Sequence, residues 1–172
     1  QQVSSAASDV YKRQALALSI TSGASVAEHL EPKGSEIRAR GNLDHTNLTG
    51  NRRRKSKLRN TNLRDANLRN ANLSNLNLSG ARMRGANLSG ANLIGIRLSD
   101  ANLSYATLSN VDLRRSELSG ANLTGGRLTG ARLSGVRLSG ANLSGVTANN
   151  LRNCPRSLPK GWVCENNSLI QL

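Results

Sequence analysis

The sequence contains no phenylalanine, one tryptophan and two tyrosines in 172 residues, so a core built around aromatic side chains is excluded. No apolar run approaches the roughly 20 residues that a membrane-spanning helix needs, and no transmembrane segment is predicted. Acidic residues are also scarce, because 10 Asp+Glu stand against 24 Lys+Arg and give a formal charge of +14. That excess favours anionic partners and carries no information about the fold.

The residues that do dominate, Leu, Ala, Asn, Ser, Gly and Arg, belong to an internal repeat. Residues 41–150 divide into 22 consecutive blocks of five without an insertion. The third place of a block is Leu in 19 of them, and the exceptions are Arg53, Met83 and Ala148. The first place is small or aliphatic almost throughout. Such regularity predicts one repeat domain over residues 41–150.

A period of five matches neither the 3.6-residue period of a helix nor the two-residue period of a strand. It is explained if the chain turns a corner every five residues, with the first and third places inward and the other three outward. Four such sides close a square coil of 20 residues. Residues 41–150 then form about five and a half coils, stacked at the strand spacing of roughly 4.8 Å. The fifth place is frequently Gly or Asn, which tolerate tight corners.

The column of third-place leucines is the predicted core, since burying one Leu contributes roughly 1.5–3 kcal/mol. Arg53 interrupts this column, and we expect its block to bulge outward or to reach the open N-terminal end. The structural core is represented by Leu63, Leu68, Leu73, Leu88, Leu93, Leu103, Leu123 and Leu143.

These tandem A-(N/D)-L-x-x blocks resemble the signature of the pentapeptide-repeat family, and the chain looks like a bacterial member of it. The resemblance covers about two thirds of the chain, residues 41–150. It implies an all-β fold, a right-handed quadrilateral β-helix (β-solenoid) with caps at both ends. Some members of the family mimic DNA and inhibit or protect DNA gyrase. Such mimicry needs an anionic rod, whereas residues 41–150 carry 16 Lys+Arg and 5 Asp+Glu, a net +11.

The segment before the repeat has two parts. Residues 1–14 lack an initiator Met and look like translated cloning or adapter sequence. Residues 15–40 are a signal-like or N-terminal capping segment. Within it, residues 15–27 resemble the apolar core of a secretory signal, with Ser25-Val26-Ala27 as a small-residue cleavage site. The alternative is a short capping helix.

Residues 151–172 break the repeat and look like the C-terminal cap of some bacterial pentapeptide-repeat proteins. A cap is needed because the last coil otherwise exposes leucines and unpaired strand edges. Trp162, Leu158 and Leu169 are its predicted plugs. Cys154 and Cys164 are ten residues apart, a plausible disulfide span. Together, the signal-like segment and the disulfide favour an exported protein (periplasmic, lumenal or secreted) over a cytoplasmic one.

No catalytic constellation is evident in the sequence. His29 and His45 belong to no defensible Ser-His-Asp order, the glycines lie at corner spacing, and the acidic residues of the repeat are scattered. We therefore predict a non-enzyme with no cofactor, no metal site and no small-molecule substrate. A monomer is favoured, because residues 151–172 are too rich in Pro and Gly to supply the helical extension that joins dimeric family members.

Positive charge is concentrated near the start of the repeat. The polyanion contacts that this run suggests are Arg52, Arg54, Lys55, Lys57, Arg59, Arg64 and Arg69. Runs of charged residues often do no more than form a solvent-exposed surface, so the favoured hypothesis is a non-catalytic structural or interaction scaffold with an unknown partner. The alternative is a basic, non-specific binder of nucleic acid, anionic lipid or acidic polysaccharide. A gyrase-interacting DNA mimic is a third and weaker hypothesis.

Overall fold

The repeat folds into a four-sided coil. A computed structural model describes residues 58–172, so the first predicted coil up to residue 57 lies outside the described part. Between Asn62 and Ser157, each second-place residue forms a parallel β-bridge with its counterpart in the next coil. All but one of these bridges join residues 20 apart, and Arg132 pairs with Asn153 instead. The predicted coil of four five-residue sides is confirmed.

Backbone hydrogen bonds join each side to the same side of the next coil, and the fifth-place N–H takes part, as where Asp65 donates to the carbonyl of Arg84 at 2.9 Å. The N–H of Leu63 donates to the carbonyl of Arg82 at 2.7 Å, and the N–H of Arg82 donates to the carbonyl of Thr61 at 2.8 Å. Corners are closed within the chain, as where the N–H of Ala81 donates to the carbonyl of Leu78 at 3.0 Å. This ladder satisfies the backbone of the rod and holds each outward side chain at a fixed height.

Positive φ angles at the fifth place turn the corners. Gly85 has φ of 69°, and Asn and Asp residues adopt the same conformation at other corners. These residue types tolerate the left-handed region, which explains their recurrence there. Tyr105 (φ 57°) and Arg115 (φ 61°) also adopt it, although bulky side chains rarely do.

Up to residue 135, corner residues alternate between glycine and larger residues from one coil to the next, whereas Gly140 and Gly145 follow glycines. A Cβ atom on Gly85 would lie 2.3 Å from Oδ1 of Asp65, the corner residue one coil earlier. Glycines likewise follow Asn60, Asn70 and Asn75 after 20 residues. The larger side chain therefore covers the next corner, which has room for it only because that corner is glycine.

First-place and third-place side chains fill the interior. The structure buries the eight leucines named above, each with at most 6% of its surface exposed. Met83 and Ala148 are buried in the same column, whereas Arg53 lies outside the described residues. Ser116 occupies a buried first place, and its Oγ donates to the carbonyl of Leu93 at 2.7 Å.

A β-hairpin covers the C-terminal end of the rod. Its strands are β1 (Trp162–Glu165) and β2 (Ser168–Gln171), paired antiparallel with Trp162 opposite Gln171 and Glu165 opposite Ser168. The hairpin is bonded to the last coil, since the N–H of Leu169 donates to the carbonyl of Ala148 at 2.9 Å.

Apolar side chains attach this cap to the core. Leu169 is buried, and Leu158 and Trp162 pack against the core while partly exposed. A disulfide joins Cys154 to Cys164 in β1, so the loop before the hairpin is covalently fixed to it. The sequence predicted a cap in this segment and did not predict its hairpin.

Candidate interaction surface

Second-place asparagines stabilise the corners of the rod. Oδ1 of Asn87 accepts hydrogen bonds from the N–H of Ser89 at 3.1 Å and from its hydroxyl at 2.8 Å. The same backbone contact is made by Asn62, Asn67, Asn72, Asn77, Asn92, Asn102, Asn122 and Asn142. Sequence reasoning missed this role, although Asn side chains commonly accept a hydrogen bond from the backbone two residues further on. These amides are therefore part of the scaffold.

Two carboxylates, each at the second place of its own side, pair with arginines. Asp112 binds Arg114 at 2.8 Å on its own side and lies 3.8 Å from Arg132 one coil further on. Glu117 binds Arg137, also one coil further on, at 3.2 Å. Stacking of residues 20 apart therefore brings opposite charges together on the third and fourth sides of the coil, where sides are counted from residue 41 and residues 111–115 and 116–120 are one example of each.

Both carboxyl groups are held in the charged form. The hydrogen bond from Arg114 is the largest influence lowering the pKa of Asp112, and nearby Arg132 acts in the same direction. For Glu117 the hydroxyl of Ser119 is the largest influence lowering the pKa, ahead of the contributions from Arg137. Partial burial opposes the shift at each site. Because the side chains remain partly exposed, each pair contributes about 0–1 kcal/mol.

The predicted basic end is only partly described. Arg52, Arg54, Lys55 and Lys57 lie outside the described residues, whereas Arg59, Arg64 and Arg69 are exposed. These three arginines occupy the fourth place of three successive sides. Each therefore projects from a different corner, and the structure does not bring them onto one face of the rod.

An exposed aromatic corner stands out on the outer surface. Tyr105 is 55% exposed. The guanidinium carbon of Arg84, one coil earlier, lies 4.5 Å from the centre of its ring. Nη1 of Arg84 also approaches Oγ of Ser104 at 3.5 Å. Sequence reasoning missed the contact between Arg84 and Tyr105. It could have been found by counting, because residues 84 and 104 are 20 apart and stack, and Tyr105 follows residue 104.

Residues 58–172 hold no group of three or more His, Cys, Asp or Glu side chains placed to bind a metal ion. Over the same range, no helix has the length and apolar character needed to cross a membrane. His29 and His45 lie outside it.

A family model of pentapeptide repeats (8 copies) matches residues 54–85, 81–120 and 116–154, more than half of the chain. The chain belongs to the pentapeptide-repeat family. Members with solved structures form right-handed quadrilateral β-helices, which gives this protein its fold. No curated protein sequence matches it.

Several solved structures of pentapeptide-repeat proteins are similar to it. One, from the cyanobacterium Cyanothece 51142, is 32% identical over 58% of this chain and 65% of its own, with a TM-score of 0.42. Trypsin-treated QnrB1, a plasmid-mediated fluoroquinolone resistance protein, is 24% identical over 69% of this chain and 55% of its own, with a TM-score of 0.52.

A third similar structure is a pentapeptide-repeat protein of the Arabidopsis thaliana thylakoid lumen. It is 23% identical over 71% of this chain and 70% of its own, with a TM-score of 0.41. The chain aligns with less than two thirds of the length of the cyanobacterial protein and of QnrB1. At 24% identity the likeness to QnrB1 concerns the fold alone.

Proposed function

We propose that this pentapeptide-repeat protein is a non-catalytic interaction scaffold, and that a protein partner binds it at the corner formed by Arg84 and Tyr105. The exposed ring of Tyr105 carries the proposal. A non-glycine residue in the left-handed region costs about 1–3 kcal/mol. Asn tolerates this conformation and occupies the equivalent place at several other corners.

The chemistry of the corner fits a binding hot spot. Tyr and Arg are enriched among the residues that dominate the affinity of protein interfaces. Arg84 restricts the ring by stacking on it at 4.5 Å, so less side-chain entropy is lost when a partner covers it. The ring lies against Gly125, which has no side chain to cover it, and more than half of the Tyr105 surface stays exposed.

Capture from an extract of the source organism tests this function. Immobilised wild-type protein, Tyr105→Asn and Arg127→Gln are compared; Arg127 is exposed on the next side and serves as the control. We expect one stoichiometric partner with wild type and the control, and strong loss with Tyr105→Asn at an unchanged melting temperature. Equal capture by Tyr105→Asn, or no partner with wild type, contradicts the proposal.

Polyanion binding is the second candidate. Residues 58–172 carry 14 Lys+Arg and 5 Asp+Glu, a net +9. Arrays of this kind bind phosphates through counterion release without reading sequence, and four to six contacts give a log–log salt slope near about −4 to −5 on DNA. Retention on heparin at low salt tests it, and absence of retention excludes it. The positive charge also argues against a DNA-mimic role.

We further propose that the protein is exported to an oxidising compartment. The disulfide between Cys154 and Cys164 supports this, because such bonds persist in secreted and periplasmic proteins and are rare in a reducing cytosol. Mass spectrometry with and without prior reduction, after alkylation, measures the bond in protein from the native source. Two free thiols there would contradict export.

A further inference from the structure

A groove of about 570 Å³ runs along the rod where one corner meets the fourth side. It is lined by four arginines and one glutamate, a net charge of +3, and these residues are Arg97, Arg115, Arg137, Arg156 and Glu117. They come from successive coils and from the segment that follows the last repeat. The basic run near residue 52 belongs to a different stretch of the sequence.

Small residues create the groove. Gly95 and Gly135 flank Arg115 in the corner column, so no side chain rises on either side of it. The aliphatic part of Arg115 lies close to Gly135, where an added Cβ would be 3.7 Å from its Cγ. Ser116 supplies a small side chain below, and its hydroxyl is already bonded to the carbonyl of Leu93.

Three of the guanidinium groups are available to a ligand. Within residues 58–172, Arg97, Arg115 and Arg156 form no ion pair, and all three side chains are exposed. Arg137 is the exception, since Glu117 holds it at 3.2 Å. Arginine presents a planar fork of donors that matches carboxylates in a bidentate way.

The shape of the groove favours a single extended chain. Arg97 and Arg137 are two coils apart, which is about 10 Å at the usual strand spacing. That distance is spanned by about three residues of an extended peptide. Aromatic side chains are absent from the lining, so the bases of a single-stranded nucleic acid would find no stacking surface.

We infer that this groove binds an acidic segment of a partner protein, with carboxylates held by Arg97, Arg115 and Arg156. Glu117 regulates the strength of binding, because it occupies Arg137 and repels an incoming carboxylate. The inference rests on the proposed scaffold function and adds the chemistry of a second contact on the partner. Since Tyr105 does not line the groove, the two contacts can be tested separately.

Fluorescence anisotropy of labelled hexaglutamate with the full chain tests the groove. Arg97→Gln/Arg115→Asn removes two groove cations, and Asn suits the positive φ at residue 115. Arg127→Gln/Arg152→Gln removes the same charge from exposed positions outside the groove. We expect the groove variant to bind about tenfold more weakly through loss of two exposed ion pairs. The control should stay close to wild type.

Glu117→Gln supplies a test in the opposite direction. It should tighten hexaglutamate binding by releasing Arg137, whereas Asp112→Asn, with the same charge change on the third side, should have little effect. Equal weakening by both arginine double variants, or no hexaglutamate binding at low salt, overturns the inference. Tighter binding of a short DNA duplex, weakened by the same groove variant, would overturn it in favour of nucleic acid. If hexaglutamate does not bind while partner capture still depends on Tyr105, the proposed scaffold function stands and the inference about the groove is wrong.

Discussion

The ring of Tyr105 lies directly over Gly125, the corner residue one coil further along the rod. A Cβ atom on Gly125 would be 2.8 Å from Cδ1 and Cε1 of that ring, closer than a stable contact allows. Tyr105 thus covers its neighbour as the asparagines and aspartates do at other corners. Gly125 leaves the space that the ring occupies, while Tyr105 itself keeps its positive φ angle.

Gly125→Ala should therefore destabilise the protein more than Gly145→Ala does. Both glycines have positive φ angles, 64° and 66°, but an added Cβ at Gly145 meets nothing closer than 3.9 Å. The backbone strain common to both is about 1–3 kcal/mol. Urea midpoints measure the difference. In a Tyr105→Gly background, Gly125→Ala should no longer cost more than Gly145→Ala does in the wild type. Equal destabilisation by the two single alanine variants would show that the Tyr105 ring does not restrict residue 125.

Leu103 tests the inward assignment of the third place, because none of its surface is exposed. Leu103→Lys buries a charge without a partner and should cost more than about 4 kcal/mol or prevent folding. Leu103→Met conserves volume and should cost less than about 1.5 kcal/mol. Thermal melts compare the two variants. Coincident melts would mean that this side chain does not fill the core.

Acidification should weaken the carboxylate pairs. The folded-state pKa values of Asp112 and Glu117 are lowered, so their stabilisation is present above the unfolded values of about 3.9 and 4.3 and is lost as pH falls through the folded ones. Near pH 7, the double variant Asp112→Asn/Glu117→Gln should have a free energy of unfolding at most about 2 kcal/mol below that of wild type, since two surface pairs are lost. Below about pH 4 this difference should become progressively smaller. Urea midpoints of both proteins, measured across this pH range, give the difference in stability. A difference that widens on acidification would contradict the pairing.

Removing the disulfide should loosen the C-terminal cap while the rod stays folded. Cys154 and Cys164 are ten residues apart, and closing a loop of that size contributes about 2–3 kcal/mol in the chain-entropy model. Cys154→Ser/Cys164→Ser should be cut faster by trypsin at Lys160, which is exposed between the two cysteines. The control is cleavage at Arg127, which should not change. An unchanged rate at Lys160 would show that backbone bonds alone hold the hairpin.

Much of the fold could be predicted because its period of five constrains every side chain in the repeat. Once four blocks make a coil, residues 20 apart must stack, and the pairs Asp112–Arg132 and Glu117–Arg137 follow from counting. The same counting places Arg59, Arg64 and Arg69 on three different corners. Closeness in sequence therefore does not place these three arginines on one face of the rod.

Other features could not be obtained by counting. The hairpin at residues 162–171 has no periodic signal, and its position depends on hydrogen bonds to the last coil. Arg156 reaches the groove only after the repeat has ended, where Asn153 pairs 21 residues from Arg132. The groove itself depends on which corners are glycine. In its corner column the glycines, Gly95 and Gly135, are 40 residues apart, and a search for a five-residue period does not detect that spacing.

Hydroxyl-radical footprinting of the chain, alone and with its captured partner, tests the scaffold proposal most directly. Tyr105 is an exposed aromatic residue and should be modified readily in the free protein. We predict that the partner strongly suppresses modification of Tyr105 and leaves Leu172, a cap residue that is 83% exposed, unchanged. Modification of Tyr105 at the same rate with the partner bound would contradict the account.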